Sequence, residues 1–221
     1  MDNDSRDIPE WDSLYKSQQV ETMPWYNEKL YSDLEEEISE QKIPFADIPK
    51  GRFLDLNTGP ATQAVQIARK GYSVTGSDIS QAAIRRAQEV YGKEQNVSFV
   101  VDNILKSNFK ENEYDYIFDR GCFHVLDPSD RLTYVREIKR ILKEDGILFL
   151  KCFSINEKRE DGPYRFSKEQ ISEIFEKGSF TVMRIKDTVY QDTLNPLPAA
   201  LFVVIKNSKK RSRYAFLQHL D

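Results

Sequence analysis

Four aspartates stand out as chemical groups because each falls inside or just after a short run of β-branched and aromatic residues. Asp55 lies within RFLDLN (52–57), Asp78 closes YSVTGSD (72–78), Asp102 closes NVSFVVD (96–102) and Asp119 closes YDYIFD (114–119). Such runs read as strands, and acids at the carboxyl ends of parallel strands are placed to accept hydrogen bonds from a bound ligand. Asp78 suits both hydroxyls of a ribose, or the cap of a helix starting near Ser80. Asp102, beside Asn103 and Ile104, could receive an adenine amino group or close an Asx-turn. Asp119 could face the amino-acid part of a cofactor or an acceptor, or pair with Arg120 or a buried backbone group.

The stretch after Asp55 adds a second kind of chemistry. Asn57-Thr58-Gly59-Pro60-Ala61 turns a strand directly into a helix, so successive backbone N–H groups form a polar nest, and Gly59 permits close approach of a ligand. The turn has no Lys-Ser/Thr ending to hold β- and γ-phosphates and no complete G-x-G-x-x-G run, which disfavours nucleotide hydrolysis and nicotinamide binding. Past the fourth strand, His124 offers a general base or a loop-stabilising hydrogen bond. Arg120 offers a charge that steers an anionic acceptor or lowers a thiol pKa, or else a structural salt bridge. Cys122 has no readable His–acid arrangement to activate it.

The elements that must position these groups follow from apolar spacing. Ala61, Ala64, Val65 and Ala68 recur at helical intervals before Gly71; Ala83, Ile84, Ala87 and Val90 do so after a capping Ser80; Leu132, Val135, Ile138 and Leu142 mark a crossover helix over Asp130 to Lys143. With GILFLKCF (146–153) as a further strand, the β-α-β-α-β alternation predicts an α/β fold, a largely parallel sheet with helices on both faces and its ligand crevice at the strand carboxyl ends. Leu30, Leu34 and Ile38 predict an initial helix. Ser167 with Gln170 predicts a capping box, followed by FTVMRIKDTVY and LPAALFVVIK as an antiparallel pair, since about ten residues around Asn195 to Pro198 cannot hold a helical crossover.

A chain of 221 residues supports one domain: an N-terminal helical lid over 1–49, a core over 50–206 and a basic tail over 207–221. The net charge of -4 lacks the field that attracts nucleic acid. Lys206 to Arg213 reads as a solvated cluster or a contact for an acidic partner, and His219 as idle. Two cysteines, Cys122 and Cys152, make neither a metal motif nor a disulfide framework, and neither a secretory signal nor a membrane span is visible, so a cytoplasmic protein is expected.

Taken together, LDLNTGPAT, VTGSDIS, VVDN, YDYIFDRGCFHVL and LKEDGILFL resemble the successive motifs of the class I S-adenosylmethionine-dependent methyltransferases over residues 50 to 206. The resemblance implies a Rossmann-like, seven-stranded sheet of order 3-2-1-4-5-7-6 with the seventh strand antiparallel, and S-adenosyl-L-methionine as cofactor. It would place Asp55 and the turn Asn57, Thr58, Gly59 near the methionine portion, Asp78 and Ile79 at the ribose, Asp102, Asn103 and Ile104 around adenine, and Asp119 by the cofactor. The family turn is Gly-x-Gly-x-Gly; here Asn57 and Ala61 replace the outer glycines. WDSLYKSQQVETMPWY, FDRGCFHVL and GPYRF are similar to the thiopurine methyltransferase-like and related small-molecule S-methyltransferases, which implies Trp11, Tyr15 and Trp25 as lid residues unless they simply pack on the sheet edge.

Little chain remains for a substrate domain, so segments 11–28, 120–130, 154–166 and 188–199 must build the acceptor pocket, and a small molecule is the expected partner rather than nucleic acid or membrane. Phe123, Leu126, Phe153, Tyr164, Phe166 and Tyr190 would line it, as suits a thiol or other soft nucleophile. Asp119, Arg120 and His124 are the catalytic candidates. An O- or N-methyltransferase using His124 or Asp119 as base is one alternative; a protein that binds the cofactor without turnover is the other.

Overall fold

The computed structural model describes residues 8–39, 50–191 and 194–208. Local signals in the sequence fix most elements. Helix α1 (Ile8–Ser17) and helix α2 (Ser32–Ser39) precede strand β1 (Arg52–Leu56), after which α3 (Thr62–Arg69), β2 (Ser73–Asp78), α4 (Gln81–Tyr91) and β3 (Val97–Val101) alternate. Then come β4 (Tyr114–Asp119), α5 (Arg131–Ile141), β5 (Leu142–Ser154), a two-residue β6 (Arg165–Phe166), α6 (Lys168–Lys177), β7 (Phe180–Val189) and β8 (Ala199–Asn207). Ser80 Oγ accepts the Ala83 N–H at the start of α4, and Ser167 with Gln170 makes the reciprocal capping box of α6.

The sheet runs β3-β2-β1-β4-β5-β8-β7, with β6 paired to β5 beside that path. It therefore has eight strands rather than the expected seven, the addition being the short β6. Strands β3, β2, β1, β4 and β5 pair in parallel, and β8 is antiparallel to both β5 and β7. The expected strand order and the reversed last strand are both present.

Alternation along the strands supplies two cores. Leu54, Leu56, Leu148 and Leu150 pack with Tyr134, Val135 and Ile138 of α5 and Ile171 and Phe175 of α6. On the opposite face Phe53, Tyr116, Phe118 and Phe149 pack with Leu34 of α2 and Ala64 and Ile67 of α3. Each fully buried large side chain contributes about 1.5–3 kcal/mol over exposure, so these layers hold the strand ends rigidly.

Helical periodicity overreads at two places. Val90 and Leu132, assigned to apolar stripes, are 68% and 57% exposed. The helix expected over Asp130 to Lys143 stops at Ile141, and β5 begins at Leu142 rather than Gly146 because Leu142 pairs with Tyr114 across an irregular register. Beyond Ser208, the rest of the basic cluster and His219 lie outside the described residues. Among the described residues, no helix is long and apolar enough to cross a membrane.

Candidate active site

The β1–α3 turn reproduces with non-glycine residues the backbone that its sequence seemed to lack. Asn57, Gly59 and Ala61 all have left-handed backbones, with φ of 56°, 48° and 63°. Asn tolerates this region, whereas an alanine there costs roughly 1–2 kcal/mol. Ala61 is thus the N-cap of α3 rather than an ordinary first helical residue. Gly59 is constrained twice, since a Cβ there would lie 2.4 Å from the Tyr15 hydroxyl oxygen.

Two acids hold this turn from below. Thr58 donates its hydroxyl to Asp55 Oδ2 at 2.6 Å, and the Gly59 N–H donates to Asp78 Oδ2 at 3.0 Å. The Ser80 N–H donates to Asp78 Oδ1 at 2.9 Å. Burial pushes both carboxyls up to about 6, against the pull of these donors. One β-strand further out, Asp102 Oδ1 accepts the Asn108 N–H at 2.9 Å, while Oδ2 is buried without a partner. The Asx-turn belongs instead to Asn103, whose side chain accepts from Leu105 N–H, and Ile104 packs into the core.

The N-terminal segment closes over this floor. Asp12 Oδ1 accepts from Ala82 N–H at 2.8 Å and from the Ser80 hydroxyl at 3.1 Å, so α1 supplies a second cap to α4. Tyr15 is buried with Met23, Ala82 and Ala83, and Trp11 meets Trp25 edge-on at 6.0 Å. Arg120 ties the segment to the sheet by donating Nη1 to the Trp25 carbonyl and the Tyr31 hydroxyl, both at 2.9 Å.

Beneath these elements opens a cavity of about 410 Å³ at the strand carboxyl ends. Trp11, Tyr15, Asn57, Gly59, Asp78 and Ile79 line one end; Val125, Phe153, Arg159, Asp161, Tyr190 and Leu194 line the other. Trp25, Arg120 and His124 also face it. All four segments expected to build the acceptor pocket contribute, but Phe123 and Phe166 are buried in the core instead, and Leu126 and Tyr164 are not on the wall.

A methyltransferase-domain family model matches residues 53–146. An uncharacterized methyltransferase of Schizosaccharomyces pombe is 34% identical over 119 residues, covering 52% of this chain and 82% of that protein. The chain belongs to the S-adenosylmethionine-dependent methyltransferases. Thiocyanate methyltransferase 1 of Brassica oleracea is 27% identical over 152 residues, covering 67% of this chain and 66% of that protein. A solved structure described as "Conversion of a Disulfide Bond into a Thioacetal Group during Echinomycin Biosynthesis" superposes with a TM-score of 0.77 at 19% identity, covering 93% of this chain and 94% of that one.

The residues of this methyltransferase fit its cofactor. The turn at Asn57 and Gly59 and the carboxylate of Asp78 open on the cavity, whereas the unpartnered Asp102 Oδ2 is a buried acceptor at the end of β3, off the cavity wall. The expected residues divide into two groups. Trp11, Tyr15, Trp25, Asn57, Gly59, Asp78, Ile79, Arg120 and His124 share the cavity wall, whereas Asp55, Thr58, Asp102, Asn103 and Ile104 lie behind it. Asp119 is also brought to a different place: its carboxylate, fully buried, accepts from the N–H groups of Gly121, Cys122 and Phe123 and from the Tyr134 hydroxyl at 2.6 Å. It shapes the loop after β4, and the pairing with Arg120 or a reaction partner is replaced by backbone capping.

Cys122 is buried beside it, and burial with the Asp119 charge pushes its thiol well up, away from nucleophilic use. Sequence reasoning missed Lys151, which is fully buried on β5, bonded to Asp33 of α2, and packed on the rings of Tyr31 and Tyr190. Burial lowers its pKa to about 8 against the pull of Asp33. A lysine amid GILFLKCF was itself the signal, because a charge at a core position requires a buried partner.

Proposed function

We propose that this methyltransferase transfers the methyl group of S-adenosylmethionine to the sulfur of a small thiol-type acceptor. Bound S-adenosylmethionine supplies an electrophilic sulfonium methyl group, leaving the protein to orient and desolvate a nucleophile. Asp78 and the turn at Asn57 and Gly59 would hold the nucleoside and methionine parts. Trp11, Tyr15 and Trp25 would exclude water above them, and Phe153, Val125, Tyr190 and Leu194 would seat the acceptor.

The observation that carries the sulfur reading is the way both candidate bases are already used. Asp119 has its two oxygens engaged by four donors. His124 Nδ1 accepts the Phe153 N–H at 3.3 Å and lies 3.3 Å from the Tyr190 hydroxyl, so that ring nitrogen is already engaged. A thiol, with an ordinary pKa near 8.5, is partly ionised at neutral pH and needs no such base. The thiocyanate methyltransferase relative and the thioacetal-forming fold neighbour support the same class.

The test is turnover across thiols, phenols and amines of matched shape. Thiols are expected to react fastest, with a rate that follows acceptor ionisation, and His124→Gln is expected to lower kcat by less than about threefold, well short of the 10²-fold typical for loss of a general base. Preferential methylation of a phenol or amine, or a hundredfold loss in the variant, would overturn the sulfur assignment.

A further inference from the structure

The loop from β5 to β6 (155–164) brings Arg159, Asp161, Gly162 and Pro163 to the acceptor end of the cavity. Its shape is set from within. Arg165 Nη2 donates to the carbonyls of Arg159 and Asp161, the latter at 2.8 Å, and Arg159 Nη2 donates to the Pro196 carbonyl. Glu157 accepts the Arg159 N–H at 3.0 Å on one oxygen and the Ala199 N–H at 2.6 Å on the other.

Held in this way, the Arg159 guanidinium keeps a buried nitrogen without a hydrogen-bond acceptor. Nη1 is buried and has no hydrogen-bond acceptor, although the side chain as a whole is 28% exposed. It lies 3.3 Å from Glu157 Oε1, close enough for charge attraction, but that oxygen already takes a backbone N–H. A buried guanidinium N–H without an acceptor is costly unless a ligand completes it. The other charges on the wall are Arg120, whose Nη1 is spent on Trp25 and Tyr31, Asp78 at the opposite end, and Asp161, which is exposed on the same loop. Among the described residues, Arg159 Nη1 is the buried cationic nitrogen on this wall that lacks a hydrogen-bond acceptor.

We propose that the acceptor carries a carboxylate and that Arg159 selects it. The proposal deepens the sulfur-transfer reading and rests on it for the rest of the acceptor's chemistry. A carboxylate oxygen can accept a charge-assisted hydrogen bond from that nitrogen, and the aromatic wall of Phe153 and Tyr190 takes the body of the molecule. Arg159 is then the specificity-determining residue, acting on binding more than on the reacting atoms.

Two measurements test this together. In the first, 2-mercaptobenzoate and 2-mercaptobenzamide are compared in kcat/KM for the native enzyme and for Arg159→Gln. The native enzyme should prefer the acid by about tenfold or more through KM, and the variant should lower that acid-to-amide ratio by about tenfold, the scale of one charge-assisted hydrogen bond. Equal use of the two thiols by the native enzyme, or an equal loss on both in the variant, overturns the proposal.

In the second, benzoate and benzamide, which carry no thiol, are titrated calorimetrically into the S-adenosylhomocysteine-loaded protein. Saturable benzoate binding that is lost in Arg159→Gln supports the proposal even if no thiol is methylated, an outcome that would sink only the sulfur reading. Thiol turnover without acid preference and without benzoate binding would sink only the role of Arg159. A melting temperature of the variant unchanged within about 2 °C shows that losing the loop's bond to Pro196 does not disturb the fold, so that the change in acid preference is not a folding effect.

Discussion

The two ends of the cavity are built by different means. At the cofactor end the polar groups come from strand ends and one turn, a contiguous register in which Asp55 pairs with Gly76 and Asp78 with Val101 across neighbouring strands. At the acceptor end they come from loops after β4, β5 and β7, held by side-chain bonds such as Arg165 to Arg159 and Tyr190 to Lys151. The first end is rigid because the sheet is, while the second is rigid only as far as its own hydrogen bonds make it so. A fixed cofactor site beside a separately built acceptor site is what lets one fold serve many acceptors.

The comparison breaks most visibly at Asp78. Asp78→Ala should weaken S-adenosylhomocysteine binding by roughly 2–4 kcal/mol, measured by calorimetry, through loss of charge-assisted bonds to two hydroxyls. The affinity for acceptor in the loaded enzyme should change far less. An unchanged dissociation constant would remove the ribose role and with it the division between the two ends.

A pH series sharpens the same contrast. Asp55 and Asp78 ionise near 6 in the folded protein against 3.8 when unperturbed, so the unliganded fold binds more protons than the unfolded chain between those values. Their contribution to stability therefore falls as pH rises from about 4 to about 6 and is flat above. Cofactor affinity runs the other way, tightening by several-fold from about pH 5 to pH 7 as Asp78 becomes a full acceptor. Denaturant midpoints with and without S-adenosylhomocysteine should show the two opposed slopes; parallel slopes would mean that these acids do not meet the ligand.

The smallest effect concerns strain alone. Ala61→Gly should raise stability by about 1 kcal/mol, because the left-handed cost of the alanine is larger than the added entropy of the unfolded chain. It should leave cofactor affinity within about twofold. A destabilised variant would show that the buried methyl group's packing outweighs its backbone.

What the sequence made legible follows the same divide. The capping Ser80, the Ser167–Gln170 box and the acids at the strand ends were readable because each is a local pattern, whereas the strand order came only through the family resemblance. Val90 and Leu132 misled because helical spacing alone does not say how wide the buried stripe is. Asp119 sits at the expected strand end, and of the partners open to it in the sequence the buried backbone wins, since three N–H groups of its own following loop reach it, a choice that spacing alone leaves open. Lys151 with Asp33 and Arg159 with Pro196 escaped because each bond joins segments far apart in the chain.

Strand β6 is only two residues long, but Phe153 and Ser154 pair there with Arg165 and Phe166, so the intervening loop is pinned at both feet to the end of β5. Segment 155–164 is consequently a cassette with fixed feet, whose interior is tied to the rest of the molecule through Glu157 to Ala199 and Arg159 to Pro196. Under the proposed acceptor assignment, grafting that one stretch from a relative together with its two outside bonds should change which molecules this enzyme accepts.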